Sequence, residues 1–86
     1  ESPDARYNFA LTLKQANYPQ DAINELESLL AKRPNDGPAH LLLANLYAQQ
    51  LASPRQARPH YLRVIELNPS HPQATQIRYW LSENPE

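Results

Sequence analysis

Side chains able to bind a metal ion or to transfer protons are few in this sequence, and their spacing keeps them apart. No two of the histidines His40, His60 and His71 have the four-residue spacing that places both imidazoles on one helix face. Glu25 and Glu27 are two residues apart, so on a helix they point in different directions. Thiolate chemistry is absent because the chain contains no cysteine. The sequence predicts no metal site, no cofactor and no catalytic pair.

Phosphate binding and nucleophilic catalysis have no sequence signature either. The only glycine, Gly37, stands before Pro38, where it eases the entry into a helix instead of opening a phosphate loop. The serines lack an arrangement of His or Lys that would activate one of them. We therefore expect a protein that is not an enzyme.

Charge and hydropathy argue against two further classes of partner. Eight Lys and Arg against nine Asp and Glu leave a net charge of −1, without the basic surplus that binding to a phosphate backbone needs. No apolar run approaches the roughly 18 residues of a membrane span. We expect neither nucleic acid binding nor membrane insertion. The absence of cysteine fits reducing and oxidising compartments equally, so the localisation stays open.

Composition and proline placement predict an all-α chain of five helices. One glycine and nine prolines accompany stretches rich in Ala, Leu, Gln, Glu and Arg, which favours helices separated by proline. Helical spacing of apolar residues places the helices at about residues 3–16, 19–33, 37–50, 54–68 and 72–83. Ser2 and Ser53 are placed to cap the first and fourth helices, with Gln56 completing a capping box. Pro72 is placed in the first turn of the fifth helix.

The second and fourth helices carry nearly the same sequence. Residues 19–36 read "PQDAINELESLLAKRPND", and residues 54–71, which stand 35 positions later, read "PRQARPHYLRVIELNPSH". Small residues coincide with small ones, as at Ala22 and Ala57. The first and third helices repeat at 34 positions instead, so one additional residue precedes the fourth helix. We expect it in the turn "QLAS", where an insertion disturbs no packed face.

A helix-turn-helix unit of about 34 residues with this pattern resembles the tetratricopeptide repeat. The matching positions are Phe9-Ala10, Leu13, Ala22, Leu26 and Pro34 in the first copy, and Leu43-Ala44, Tyr47, Ala57, Tyr61 and Pro69 in the second. The family's early Trp position holds Arg6 and His40 instead. The resemblance implies an α-solenoid of antiparallel helix-turn-helix repeats in one domain, residues 1–86. Repeat one would cover about residues 3–36, repeat two about 37–71, and a terminal helix about 72–83.

Stacked hairpins should hide apolar surface that a single hairpin leaves in water, where each Å2 costs roughly 25 cal/mol. We expect four alanines to let the helices approach closely: Ala10, Ala22, Ala44 and Ala57. Larger residues should fill the space between the helices: Phe9, Leu13, Leu26, Leu30, Leu43, Tyr47, Tyr61 and Ile65. Pro59 lies inside the fourth helix, where we expect a bend with the ring facing outward.

In proteins that resemble this family, the first helices of successive repeats line a concave groove that binds a peptide or a partner helix. The resemblance implies that this face presents Asp4, Tyr7, Asn8, Leu11, Lys14 and Gln15 from repeat one. From repeat two it would present Pro38, Leu41, Leu42, Asn45, Ala48 and Gln49. The alternative for Leu11, Leu41 and Leu42 is packing within or between the hairpins. The expected function is thus a scaffold that binds a protein or peptide.

A self-assembly module is the alternative function. Tyr79 and Trp80 are adjacent and cannot both face inward from one helix, so at least one is expected to be partly exposed. Such a residue would be an end contact of the stack, or an anchor for a second copy or for a further repeat. The second helix is acidic and the fourth is basic, which would favour head-to-tail stacking of copies. The residues concerned are Asp21, Glu25 and Glu27 on the second helix and Arg55, Arg58 and Arg63 on the fourth.

Overall fold

The computed structural model describes residues 2–86, which form five α-helices and one π-helical segment. The α-helices are α1 (Pro3–Gln15), α2 (Pro19–Lys32), α3 (Gly37–Asn45), α4 (Pro54–Leu67) and α5 (Ala74–Glu83). The π-helical segment, Leu46–Gln50, continues α3 without a break. The predicted all-α repeat fold is confirmed.

Consecutive helices pack against one another along the chain. We call α1 with α2 the first hairpin, and α3 with the π-helical segment and α4 the second hairpin. The two helices within each hairpin are in close contact, α2 packs against α3, and α5 packs against α4. The resulting stack measures 35 × 24 × 20 Å. None of the helices in residues 2–86 combines the length and the hydropathy needed to cross a membrane.

One hydrophobic core runs through both hairpins. The four alanines expected at close helix contacts, Ala10, Ala22, Ala44 and Ala57, are all 0% exposed. Larger side chains fill the space around them: Ile23, Leu26, Leu29, Leu43, Leu46 and Val64 are almost fully buried. Because alanine is small, it lets two helix backbones approach closely, and the larger side chains fill the remaining space.

The core prediction is wrong for Phe9, whose side chain is 52% exposed. Its equivalent in the second hairpin, Leu43, is 0% exposed because α3 packs against both α2 and α4. Helix α1 packs closely against α2, and among the described residues no second helix packs as closely against it. The end of a helical array leaves one helix face uncovered.

Of the predicted helix starts, that of α1 agrees with the structure, whereas the cap of α4 and the first residue of α5 differ from it. Ser2 caps α1 as expected, since its Oγ accepts a hydrogen bond from the Ala5 N–H at 3.1 Å. The capping box of α4 is wrong, because Ser53 Oγ donates to Gln56 Oε1 at 2.8 Å and makes no bond to the helix backbone. The fifth helix begins at Ala74 rather than around Pro72.

The additional residue of the second hairpin lies in the π-helical segment and not in the turn "QLAS". The Leu51 N–H donates to the Leu46 carbonyl at 3.1 Å, a bond that spans five residues instead of four. Asn17 and Ala52 stand 35 positions apart and both have positive φ, 69° and 49°. The repeat spacing has therefore already changed from 34 to 35 residues before the turn begins. One widened helical turn accommodates the extra residue, so the residues of α3 that precede it keep their packing.

Two residues of α4 affect its position in the stack. Pro59 lies inside the helix and is exposed, so water can reach the Arg55 carbonyl that has lost its donor. Arg58 extends to the far end of α5, where its Nη1 donates to the carbonyls of Leu81 at 3.0 Å and Asn84 at 2.9 Å. Arg58 thus binds carbonyls at the C-terminal end of α5 and holds α5 against α4.

Candidate partner-binding groove

Two adjacent hollows lie along α3. The first, which we call the apolar hollow, has a volume of about 390 Å3 and is lined mainly by Tyr7, Pro38, Leu41, Leu42 and Leu67. The second, the amide hollow, has a volume of about 290 Å3 and is lined mainly by Gln49, Gln73, Gln76, Tyr61 and Trp80. Leu41 and Asn45 line both hollows and form their common wall. We call the two hollows together the groove.

The structure brings half of the predicted binding residues into the groove. Tyr7, Pro38 and Leu42 line the apolar hollow, Gln49 lines the amide hollow, and Leu41 and Asn45 line both. Tyr7 comes from α1 and the others come from the second hairpin, so the groove crosses from one hairpin to the next. Whether these residues bind a partner stays a prediction.

The other half of the predicted binding residues line neither hollow: Asp4, Asn8, Leu11, Lys14, Gln15 and Ala48. Leu11 packs against the hydrophobic core instead, which is the packing alternative considered for it. Asp4 lies 4.0 Å from Arg33 in a surface ion pair. Leu42 is 5% exposed and belongs to the core while it forms part of the apolar hollow's floor.

Sequence reasoning missed the contribution of the chain's last third. Gln73, Gln76 and Trp80 line the amide hollow, yet the sequence analysis assigned Trp80 to self-assembly. The signal was available: these residues stand 35 positions after Pro38, Leu41 and Asn45, which places them on the face of α5 that corresponds to the groove face of α3. Gln73 and Gln76 stand where the second hairpin has the apolar Pro38 and Leu41, and Trp80 stands where it has Asn45, so the family pattern did not reveal them.

A hydrogen bond between α3 and α4 fixes the common wall of the groove. Tyr61 Oη donates to Asn45 Oδ1 at 2.6 Å. Tyr61 is 5% exposed, and burial raises the pKa of its phenol, so the hydroxyl keeps its proton. The Trp80 ring packs on Tyr61 with ring centres 4.7 Å apart, inclined at 55°. Asn45 is therefore held in one orientation by a buried, aromatic-packed partner.

The groove is uncharged along both hollows. In the part of the chain that the structure describes, neither lining includes an Asp, Glu, Lys or Arg side chain. The polar groups are amides, the Tyr7 and Tyr61 hydroxyls and the His71 imidazole. Such a surface favours hydrogen bonding to neutral groups over recognition of a charged ligand.

A pair of histidines joins α3 to α4 within the second hairpin. His40 is 7% exposed; its Nε2 donates to the Pro34 carbonyl at 2.8 Å, which leaves Nδ1 as an acceptor. His60 Nδ1 lies 2.9 Å from it and donates to it. Burial, with the neighbouring His40, lowers the pKa of His60 from 6.5 to about 4. Among residues 2–86, no third His, Asp or Glu joins them to form a metal-binding cluster.

The charges proposed for stacking of copies are largely engaged within the chain. Glu25 Oε1 accepts a hydrogen bond from Arg6 Nη1 at 3.1 Å, Arg63 pairs with Glu66 at 2.8 Å, and Arg58 binds the end of α5. Of the two aromatic residues proposed as assembly contacts, Tyr79 is 68% exposed, while Trp80 packs on Tyr61 inside the molecule.

Comparison with known protein families gives one match. The family model described as tetratricopeptide repeat matches residues 13–78, which is well over half of the chain. The matched stretch begins inside α1 and ends inside α5, so it includes the contacts within and between both hairpins. Comparisons with curated proteins and with solved structures gave no significant match.

Proposed function

Since the chain belongs to the tetratricopeptide repeat family, whose repeats generally mediate protein–protein interaction, we propose that it binds a segment of a partner protein in the groove along α3. The family is typically a non-catalytic interaction module. We further propose that the hairpins act as two repeats of a single domain. In that division, residues 3–36 and 37–71 are the repeats and residues 72–83 are a terminal helix.

One observation carries this proposal: the two hollows share a wall and together cross α1, α3 and α5 without a charged side chain. A segment lying in them would contact Tyr7 at one end and Trp80 at the other. Aromatic anchors flanking a fixed polar group are typical of the residues that dominate protein interfaces.

Selection from a displayed peptide library against the full chain tests the proposal. Peptides that bind should lose at least about tenfold in affinity with Tyr7→Ala or Asn45→Ala, because Tyr7 is the aromatic anchor at one end and Asn45 lies in the wall shared by both hollows. Tyr79→Ala is the matched control, since Tyr79 is an exposed tyrosine outside both hollows. Fluorescence anisotropy with each variant gives the affinities. Equal binding by all four proteins would refute the groove as the binding site.

Self-association is a second candidate, and it is favoured by aromatic side chains exposed toward the two ends of the chain. Phe9 on α1 is 52% exposed and Tyr79 on α5 is 68% exposed. In an α-solenoid, such end faces can stack against another copy. Light scattering over a concentration series measures this. A mass that rises with concentration and returns to that of a monomer with Tyr79→Ala would support assembly, whereas a constant monomer mass would exclude it.

A further inference from the structure

A third hollow lies where the first turns of α4 meet the residues that follow α5. Its volume is about 630 Å3, and it shares no lining residue with the groove. We call it the arginine pocket. Two arginines, four apolar residues and two further polar residues line it: Arg55, Arg58, Pro54, Pro59, Leu62, Pro85, Asn84 and Glu86. We propose that the arginine pocket binds a small organic molecule that carries one carboxylate on an apolar body. This site is separate from the proposed partner-binding groove.

Arg58 occupies a position at which the first hairpin has a core residue. The residue 35 positions earlier, Ile23, is 1% exposed. A charged side chain in such a place is unfavourable unless hydrogen bonds and an opposite charge compensate it. Two carbonyls at the end of α5 accept hydrogen bonds from Arg58 Nη1, but Arg58 forms no ion pair with a carboxylate of residues 2–86. The positive charge therefore has only neutral partners.

One edge of the Arg58 guanidinium has no acceptor. Nε is buried and makes no hydrogen bond within residues 2–86, and Nη2 makes none in the same part of the chain, since both carbonyls bind Nη1. The N–H groups of Nε and Nη2 lie side by side in the planar fork that matches the two oxygens of a carboxylate. A carboxylate on this edge supplies the missing acceptors and the missing negative charge together.

The charges of the pocket favour an anion with a single negative charge. Arg55 lines the pocket and, like Arg58, forms no ion pair within the described residues. Glu86 also lines the pocket, is exposed, and pairs with neither arginine. Two cations and one carboxylate leave one positive charge to be balanced. A monocarboxylate balances it, whereas a phosphate dianion would be repelled more strongly by Glu86.

The remaining lining determines the body of the ligand. Pro54, Pro59, Pro85 and Leu62 present apolar surface beside the arginines. A volume of about 630 Å3 falls within the range of roughly 300–1,000 Å3 that is typical of small-molecule sites, which combine apolar walls with a few polar groups that fix orientation. An aromatic or aliphatic group attached to the carboxylate therefore has apolar surface to cover.

Helix α2 of the first hairpin lacks this chemistry. The positions of α2 that correspond to the two arginines, Pro59 and Leu62 hold instead Gln20, Ile23, Asn24 and Glu27. The acidic residue among them would repel an anion, and no arginine is present to bind it. The arginine pocket is thus made by residues that depart from the repeat, whereas the residues that specify the scaffold are shared by both hairpins.

Titration of the full chain with phenylbutyrate tests the proposal. Phenylbutyramide is the matched probe, because it has the same body without the charge, and inorganic phosphate tests for binding of any anion. Calorimetry gives the affinities, and 15N NMR follows the Arg58 Nε–H signal and the Leu62 backbone amide. We expect phenylbutyrate to shift both signals with a dissociation constant below about 1 mM. The amide and the phosphate should bind at least about tenfold more weakly.

Three protein variants examine the parts of the site. Arg58→Lys keeps the charge but loses the planar edge, so phenylbutyrate should bind at least about fivefold more weakly. Arg55→Gln, at an exposed position, removes one of the two cations and should weaken binding about three- to tenfold. Leu62→Glu gives α4 the acidic residue of α2 and should abolish binding. Circular dichroism checks that each variant keeps the helix content of the original chain.

Arg78→Gln is the matched control for the arginine variants. Arg78 is exposed, donates to the Pro69 carbonyl at 3.1 Å and lies outside the arginine pocket. Its replacement changes the net charge of the chain by the same amount as Arg55→Gln, so unchanged affinity for phenylbutyrate would show that the pocket and not the overall charge binds the carboxylate.

The proposal is wrong if phenylbutyrate does not bind at millimolar concentrations, if phenylbutyramide binds equally well, or if phosphate binds more tightly. It is also wrong if Arg55→Gln and Arg58→Lys leave the affinity unchanged. A loss of phenylbutyrate binding in Tyr7→Ala, which alters the groove and not the arginine pocket, would place the probe in the groove and overturn the proposal as well.

Discussion

At corresponding positions of the two hairpins, different chemistry joins the first helix to the second. In the first hairpin, Arg6 and Glu25 form an ion pair at 3.1 Å. His40 and His60 stand 34 and 35 positions later and form a hydrogen bond at 2.9 Å instead. The same backbone arrangement thus accommodates a charged pair and a neutral one. The difference shows that the repeat dictates where the two helices meet and leaves the type of bond between them free.

A second pair of corresponding positions differs in the groove. Leu11 and Leu26 in the first hairpin are both apolar, whereas Asn45 and Tyr61 at the matching positions are joined by a hydrogen bond. At these positions the first hairpin therefore has two apolar side chains that pack, and the second has a hydrogen bond that fixes the orientation of the Asn45 amide. Function can be carried by such departures from the repeat, because the shared pattern specifies only the scaffold.

The largest expected effect contrasts Leu43 with Phe9, which are 0% and 52% exposed at corresponding positions. Leu43→Ala should lower the free energy of unfolding by about 3 kcal/mol, because it leaves a cavity between the hairpins. Phe9→Ala should lower it by less than about 1 kcal/mol, because water already covers much of the ring. Urea denaturation of both variants gives the values. Similar losses would show that the two hairpins are equally enclosed.

Because His60 is buried against His40, we expect mild acid to lower the stability of the second hairpin. His60 has a pKa of about 4 when folded against 6.5 when unfolded, so the unfolded chain binds a proton first. The contribution of the neutral His60 to the free energy of unfolding is complete above pH 6.5 and is lost as the pH falls toward 4. The loss is on the order of 1 kcal/mol, discounted because part of the ring faces solvent.

His60→Gln is the control for this pH dependence, because glutamine does not titrate. Unfolding measured between pH 7 and pH 4.5 should show a shallower decline in stability for this variant. Tyr47 stacks beside His60 and donates to Glu27 at 3.4 Å, and both of these residues are unchanged in the variant. An unchanged slope in His60→Gln would assign the pH dependence to another group.

The ion pair of the first hairpin should respond to salt instead. The Arg6 and Glu25 side chains are 20% and 26% exposed, so Glu25→Gln should lower the free energy of unfolding by about 0.5 to 1 kcal/mol at low ionic strength. The difference should shrink at high salt, which screens the pair. His60→Gln, measured at pH 7, should show no such dependence on salt. A loss of the same size at every salt concentration would point to packing rather than charge.

The smallest effect is expected from removing the additional residue of the second hairpin. Deletion of Gln50 should turn the π-helical segment into an α-helical turn like the end of α1. Since the first hairpin already has this geometry, the free energy of unfolding should change by no more than about 0.5 kcal/mol. Urea denaturation measures it. A large loss would mean that the wider turn is required for packing on α4.

Proline placement and apolar spacing were sufficient to predict the helices and the faces on which they pack. Proline positions predicted most helix boundaries to within a residue or two, and the four repeated alanines marked the close helix contacts. The same rules failed at the start of α5 and at Ser53. There, local turns and side-chain bonds compete with the cap that the pattern suggested.

Only the tertiary structure decided which equivalent residues do different things. It left Phe9 in water while burying Leu43, brought His40 to His60 and Asn45 to Tyr61, and added α5 to the groove. The sequence by itself determined five helices, their order and the faces that pack, because helix formation and amphipathic spacing depend on residues a few positions apart. Exposure, hydrogen-bond partners and the shape of the groove depend on helices that are distant in the sequence, so they are defined only when the hairpins stack.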